Sequence, residues 1–276
     1  ANATLVDESG EALPLTTIET VEVLSTAEPW FVDASDGTHV IAYFATQTDC
    51  DAWVAPAGYA SATCYVNDAP IQAAVDDARS DDGIIHLSGS FNETVKITKN
   101  VTLDGGGETV ISSPVAGIET NGNATVKAVI YVDGTTANEN INVTLKGLAI
   151  DGAELTNSLG MDAFTLAGIL IENANVTLLD NAINNFLSSD EVAAAGIVLV
   201  NSNAEISGNE FYNDTVGLAV DETSSAAGEG NNFVKDGVRV QVARGGYSNL
   251  DLDTTYTDQG DYHPGDTVTI SGDNAD

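Results

Sequence analysis

Apolar positions in this chain recur in short alternating runs, not in long helical stripes. Thr16-Thr-Ile-Glu-Thr-Val-Glu-Val-Leu24 alternates like a half-buried strand, and His39-Val-Ile-Ala-Tyr-Phe44 is an apolar run of strand length. With Trp30 and Trp53 they predict an N-terminal β-rich cap over residues 1–66. One helical pattern follows, from Ala69 to Arg79, with Ile71, Ala74, Val75 and Ala78 on one face and Pro70 in the first turn. Asn67 and Asp68 are its capping candidates. Ser80-Asp-Asp-Gly83 ends it, and strand character resumes at Gly83-Ile-Ile-His-Leu.

From there the pattern repeats. Ala167-Gly-Ile-Leu-Ile, followed by turn residues at Asn173 and Asn181 and by Phe186, aligns with Ala195-Gly-Ile-Val-Leu, Asn201, Asn209 and Asp214. The phase recurs at Val216-Gly-Leu-Ala-Val220 with Asn231-Asn-Phe233, and again at Asp236-Gly-Val-Arg-Val240. Earlier copies are looser: Asn100-Val-Thr-Leu, Asn142-Val-Thr-Leu and Asn175-Val-Thr-Leu each set an asparagine before a strand. Spacings of about 20 to over 40 residues require inserted loops in some turns. Strands this short are unstable alone, but stacking hydrogen-bonds each to the next and buries columns of Val, Ile and Leu. Asn and Gly suit left-handed corners, and stacked Asn can bond along the axis. The repeat predicts an all-β stack over residues 67–245, with the helix at 69–79 covering its open end. Residues 246–276 form a tail. There Thr267-Val-Thr-Ile270 alternates after a Pro-Gly turn, and such a strand needs a sheet to join. It could fold back on its own stack, open a further domain, or add to the edge of a neighbouring copy. The sharper expectation is that it adds to such an edge, or that copies stack end to end, either giving a filament by head-to-tail contacts.

The run Ile71-Gln-Ala-Ala-Val-Asp-Asp-Ala, Gly83-Ile-Ile-His-Leu, Gly89-Ser-Phe-Asn-Glu-Thr-Val-Lys-Ile97 and Lys99-Asn-Val-Thr-Leu-Asp-Gly105 resembles the opening of the pectin-lyase-like superfamily, and the later Gly, Asn and Phe repeats resemble its rungs. The resemblance covers about residues 69–245 and implies a right-handed parallel β-helix. It implies little about function, because that fold carries lyases, hydrolases, adhesins and phage spikes. The polygalacturonase-like members carry Asn-x-Asp, Asp-Asp, Gly-His-Gly and Arg-x-Lys elements. This chain lacks Gly-His-Gly, and neither Arg239-Val-Gln nor Arg244-Gly-Gly supplies the last element. Asp76-Asp77 and Asp81-Asp82 lie at the helix, away from the long face. A lyase-like set would be Asp180, Glu205 and Asp221 with Arg239, which nothing in the sequence brings together. The expectation is therefore a non-enzyme: an extracellular structural or adhesive surface protein, a filament or sheath subunit. The alternative is a polysaccharide lyase or hydrolase, or a carbohydrate-binding module.

Composition narrows the partners. Forty-two acids against eight bases give a formal charge of −34 over 276 residues. Nucleic acid and anionic membrane surfaces are repelled, and no apolar run is long enough to span a bilayer. The partners left are copies of the chain, other surface components and polysaccharide. The chain begins at Ala1, as an exported protein does after losing its signal peptide, and as a trimmed one does too. Cys50 and Cys64 are the two cysteines, and in an exported chain they pair, stapling the N-terminal cap. Seven Asn-x-Thr sequons, at Asn2, Asn92, Asn100, Asn123, Asn142, Asn175 and Asn213, are glycosylation candidates. A turn-strand repeat also produces them unaided, since Asn favours turns and Thr favours strands. His39, His86 and His263 show no metal-ligand spacing. No cofactor is called for, apart from calcium, which Asp251, Asp253, Asp258 and Asp261 could hold although they form no calcium-loop pattern.

Overall fold

The computed structural model describes residues 29–35, 37–79, 83–112, 118–119, 126–137, 140–153, 164–188, 192–234, 236, 238–242, 250–256 and 266–271. The predicted strand at 16–24 lies outside them, as do Asn2, Asn123, Asp258, Asp261 and His263.

The chain is mostly β, in parallel sheets. It passes repeatedly between two of them, each passage being one rung. The first ladder starts at Ile84–His86 and adds Val101–Ser112, Ile141–Asp151, Ala174–Leu179, Asn203–Ser207, Ser225–Val234 and Leu250–Tyr256, each parallel to the one before. The longer of these strands bend, and their second halves pair with Ser90–Asn92, Ala182–Asn184 and Glu210–Tyr212. The other sheet stacks Val95–Ile97, Val126–Asp133, Phe164–Glu172, Val192–Val200, Val216–Val220 and Val238–Val242, also in parallel. Rungs measure 42, 33, 28 and 22 residues along the asparagine column that starts at Asn100. The register is the one the repeats predict: Val101, Val143, Val176, Ala204 and Ala226 share one column, and Leu103, Leu145, Leu178 and Ile206 share the next.

Alternation drives this packing. Along Ile141–Asp151 the odd positions Ile141, Val143 and Leu145 are buried, while Asn142 and Lys146 are exposed and Thr144 is half-buried. The inward columns form one continuous core, in which Ile130, Ile169, Ile197 and Leu218 are at most 1% exposed. Each such side chain contributes about 1.5–3 kcal/mol of burial. Phe211 and Phe233 stack at 4.4 Å in the interior.

The corners explain the asparagines. Asn173, Asp180, Asn185, Asn201 and Asn213 have φ between 48° and 63°, the left-handed region that Asn and Asp tolerate best after glycine. Where Asp180 turns one rung, Gly208 turns the next at φ 68°, and a Cβ there would lie 2.3 Å from the Asp180 carboxylate. Inside the corner, Asn181, Asn209 and Asn231 form a buried column. The Asn181 amide donates to Asn209 Oδ1 (2.9 Å) and the Asn209 amide to Asn231 Oδ1 (3.2 Å). The same side chains donate to the carbonyls of Leu145, Leu178 and Ile206. This is the axial bonding expected of stacked asparagines.

The helix spans Pro70–Asp77, with Pro70, Ile71, Ala74 and Val75 buried. Its cap differs from the expectation. Asn67 Oδ1 accepts only from the Ala69 amide, and neither Asn67 nor Asp68 caps the helix. Glu93, 22 residues away in sequence and 4% exposed, accepts from the amides of Ile71 and Gln72 at 3.0 Å each. Gln72 answers by bonding both backbone groups of Lys96. The helix is thus capped by the rung it covers, a long-range contact that local spacing cannot reveal.

At the N-terminal end, Trp30–Val32 pairs antiparallel with His39–Phe44 and with Ile84–His86, and His39–Phe44 pairs parallel with Ser61–Val66. The sheet therefore runs unbroken from this region into the rungs. The tail strand Asp266–Ser271 folds back antiparallel on Leu250–Tyr256, which is the fold-back option and not addition to a neighbouring copy's edge; the pairing bears on this strand alone and not on end-to-end stacking of copies. Among the described residues no helix is long and apolar enough to cross a membrane.

Candidate functional site

The outward side of the first ladder carries polar side chains in register. Asn142, Asn175 and Asn203 form an exterior column, closed by Ser225. Asn175 Nδ2 donates to Asn142 Oδ1 at 3.3 Å, Asn203 Nδ2 to Asn175 Oδ1 at 3.0 Å, and the Ser225 hydroxyl to Asn203 Oδ1 at 2.6 Å. Thr102, Thr144, Thr177 and Glu205 make the adjacent column two residues along each strand. Between the columns lies a shallow hollow of about 340 Å³ lined by Asn142, Thr144, Asn175, Thr177, Asn203 and Glu205. A third column runs from His86 through Asp104 to Lys146, whose ammonium sits 3.2 Å from the Asp104 carboxylate. Burial opposes the charge on Asp104, but hydrogen bonds from the Gly106 amide and from Lys146 outweigh it and hold the carboxyl below the usual range. Burial lowers the His86 pKa, and that outweighs the opposing pull of Asp104.

An aromatic step closes one end of this surface. Trp30 is the cross-strand partner of His86, and their rings stack at 4.2 Å and 24°, with Tyr59 edge-on to Trp30 at 6.2 Å. Trp30 is half-buried and Tyr59 is 37% exposed. What holds Trp30 is a small second core of Ala42, Phe44 and Cys50, against which Trp30, Trp53 and Cys64 pack. Cys50 lies on the short helix Gln47–Ala52, whose Asp49 amide is capped by the Thr46 hydroxyl, and it is disulfide-bonded to Cys64 with Cα atoms 5.8 Å apart. The predicted bridge is present, and it fixes the loop that carries Tyr59.

A second polar group, unmarked by any sequence motif, lies on the outward side of the other sheet. Asp133 and Glu172 are register partners, and so are Lys96 and Tyr131. Lys96 Nζ lies 2.8 Å from Asp133 and 5.3 Å from the Tyr131 ring centre, and the Tyr131 hydroxyl donates to Glu172. Asp133 also accepts from the Thr136 amide and hydroxyl. Burial opposes its charge, but the bonds from Lys96 and Thr136 keep its carboxyl below the usual range. The Tyr131 phenol is pushed up, by burial first and then by Glu172. Asp133 and Tyr131 are 0 and 1% exposed while Lys96 and Glu172 are half-buried, so the group braces adjacent rungs with its central carboxylate and phenol shut off from solvent. Only the in-register pairing reveals the cluster, because its members come from three strands separated by 35 to 41 residues.

The three carboxylates of the lyase-like set do not converge, and the Arg239 side chain lies outside the described ones, its backbone being on the strand Val238–Val242. Asp180 turns a corner, Glu205 sits on the polar ladder, and Asp221 binds the Thr223 amide and hydroxyl and the Asn201 amide in a turn at the opposite end of the strands. Of the calcium candidates, Asp251 and Asp253 lie on the strand Leu250–Tyr256, and no group of three metal-ligating residue types gathers among the described residues. Among the sequons, Asn92 and Asn100 are exposed, whereas the side-chain amides of Asn175 and Asn213 donate to Asn142 and Asn185. His39 bonds the Ser61 hydroxyl across two strands.

No protein-family model matches the chain, and no curated protein matches it. Among solved structures it is similar to one described as a "putative glycosyl hydrolase" from Parabacteroides merdae, at 15% identity and a TM-score of 0.47, over 68% of this chain and 88% of the other. This match corrects the expectation of a non-enzyme, which is not retained. At that identity and TM-score it passes no activity to this chain.

Proposed function

We propose that the chain is a right-handed parallel β-helix from an exported protein, with an N-terminal cap over 1–66, coils over 67–245 and a tail over 246–276, and that it binds polysaccharide along the outward face of its first ladder. Parallel pairing at every rung and the return of the chain between two sheets support the β-helix. The disulfide supports export to an oxidising environment. The observation that carries the binding reading is the aromatic step: Trp30, stacked on His86 and flanked by Tyr59, at the head of a surface of in-register amides and hydroxyls. Sugar rings present apolar C–H faces and hydroxyl edges, which suit an aromatic plate beside a hydrogen-bonding array. An adhesive role at the cell exterior follows from such binding and needs no filament.

The test is retention of the native protein on immobilised or gel-embedded polysaccharides. Trp30→Ala should weaken retention about tenfold or more, equivalent to about 1.4 kcal/mol. Trp30→Phe keeps a ring in place and should restore part of it. If no polysaccharide retains the protein, or if Trp30→Ala binds like the wild type while circular dichroism stays native, the proposal fails. Assaying the same mixtures for new reducing ends and unsaturated products tests for catalysis.

A further inference from the structure

Which polysaccharide the face takes can be argued from where the cations are. Arg79 is paired with Asp33 at 3.0 Å, Lys96 with Asp133 at 2.8 Å and Lys146 with Asp104 at 3.2 Å. Lys99 donates to the Asp76 and Ala78 carbonyls at the helix end, and Lys127 is also engaged. On the polar ladder itself Lys146 is the only lysine or arginine among the described residues, and Asp104 holds it. His86 stays neutral near pH 7, because burial lowers its pKa. Glu205 adds a carboxylate at the far end of the Thr column, and the whole chain carries −34. Among the described residues a uronate or sulfate would meet a single ammonium on this face, already paired with Asp104, and would approach against the field of the protein.

The asparagine column offers the opposite chemistry. A side-chain amide has two N–H donors and two acceptor sites. Asn175 uses one N–H toward Asn142 and one acceptor site toward Asn203. One donor and one acceptor remain, and the pattern repeats at the strand spacing of about 4.8 Å. A hydroxyl both donates and accepts, so it matches that pair, whereas a carboxylate only accepts.

We propose that the polymer bound along the first ladder is an uncharged polysaccharide, its hydroxyls read by the Asn142–Asn175–Asn203 column and one sugar face by Trp30. The inference rests on the carbohydrate-binding reading above. It is tested by native affinity electrophoresis of the whole chain in gels containing neutral glucan, xylan or mannan, or containing polygalacturonate or alginate. Neutral polymers should slow the protein at least about twofold, and the effect should persist from roughly 0.05 to 0.5 M NaCl, where long-range charge effects are screened. Polyuronates should not slow it at either salt concentration. Glu205→Lys, which changes the face by two charges without touching the core, should bring on polyuronate retardation that disappears at the higher salt. Retardation of the wild type by polyuronates equal to or above that by neutral polymers would overturn the inference while leaving the carbohydrate-binding reading in place. Retardation by none of the polymers would overturn both.

Discussion

Replacing Asp214 by asparagine should stabilise the chain, increasingly so as pH rises. Asp214 is 1% exposed and stands in a corner column with Phe186 and Asp236. Its Oδ1 accepts from the Phe186 amide at 2.8 Å, and its own amide donates to Asp236 Oδ1 at 2.8 Å, but its Oδ2 has no hydrogen-bond partner. Burial raises its pKa from 3.8 to about 9, with Asp236 and Asp151 adding repulsion. The folded state therefore holds a proton that the unfolded chain releases above pH 4. A raised carboxyl pKa gives stability that is complete below the unfolded value of 3.8 and is lost progressively as pH rises through the folded value near 9. Each pH unit in that window costs about 1.4 kcal/mol, so holding Asp214 neutral at pH 7 costs on the order of 4 kcal/mol. The substituted amide would keep the acceptor for Phe186 and supply an N–H on the other side, as Asn181 and Asn209 do in the neighbouring column. Asp214→Asn should then gain on the order of 2–4 kcal/mol at pH 7, more at pH 8 and little at pH 4.5. The measurement is urea unfolding followed by circular dichroism for both proteins at several pH values, the difference cancelling the contribution of the other acids. A gap that does not change with pH, or a variant less stable than the wild type at pH 8, would refute the reasoning.

Glu93→Ala should free two amides at the start of the helix Pro70–Asp77 and destabilise the chain by about 2–4 kcal/mol, visible as a lower urea midpoint and faster hydrogen exchange at Ile71 and Gln72. Reducing Cys50–Cys64 should speed proteolysis within residues 45–66 and weaken polysaccharide retention along with it; equal cleavage in the rungs would contradict the local role of the bridge. If the native protein is glycosylated, peptide mass spectrometry should find glycans at Asn92 and Asn100 before Asn175 and Asn213, whose amides are engaged in ladders.

Much of the architecture was legible because it is periodic. The 28-residue offset between Ala167 and Ala195 in the sequence is the register found in the sheet, and the Asn-Val-Thr-Leu copies at 142 and 175 pair residue for residue. Periodicity reads neighbours along one column well. It is silent about contacts between columns and between elements far apart in sequence, which is where the sequence reading fell short. Glu93 caps a helix that begins at Pro70, and the Lys96, Tyr131, Asp133 and Glu172 group assembles from three rungs with no shared motif. The aromatic step was hidden for a related reason. No local pattern marks it, because an antiparallel strand brings Trp30 onto His86 across 56 positions.

The sequons show how a structural rule can imitate a functional signal. In Asn142-Val-Thr144 and Asn175-Val-Thr177 the valine is buried in the inward column, so strand alternation sends the flanking Asn and Thr outward. Outward asparagine at that position is favoured by the rung below: Asn175 bonds Asn142, and Asn203 bonds Asn175. Outward threonine is favoured by its β-branched fit to a half-buried strand. Ladder and strand together write Asn-x-Thr without any glycan. Where the pressure for a β-branched residue lapses, the motif lapses too: Asn203-Ala-Glu205 keeps the ladder asparagine, in register with Asn175, but has no threonine. Conversely, Asn92 lies outside the asparagine ladder, and its sequon has no such structural cause. The sequon at Asn92 therefore carries more weight as a sign of export than those at Asn142 and Asn175, which the ladder would write in any compartment.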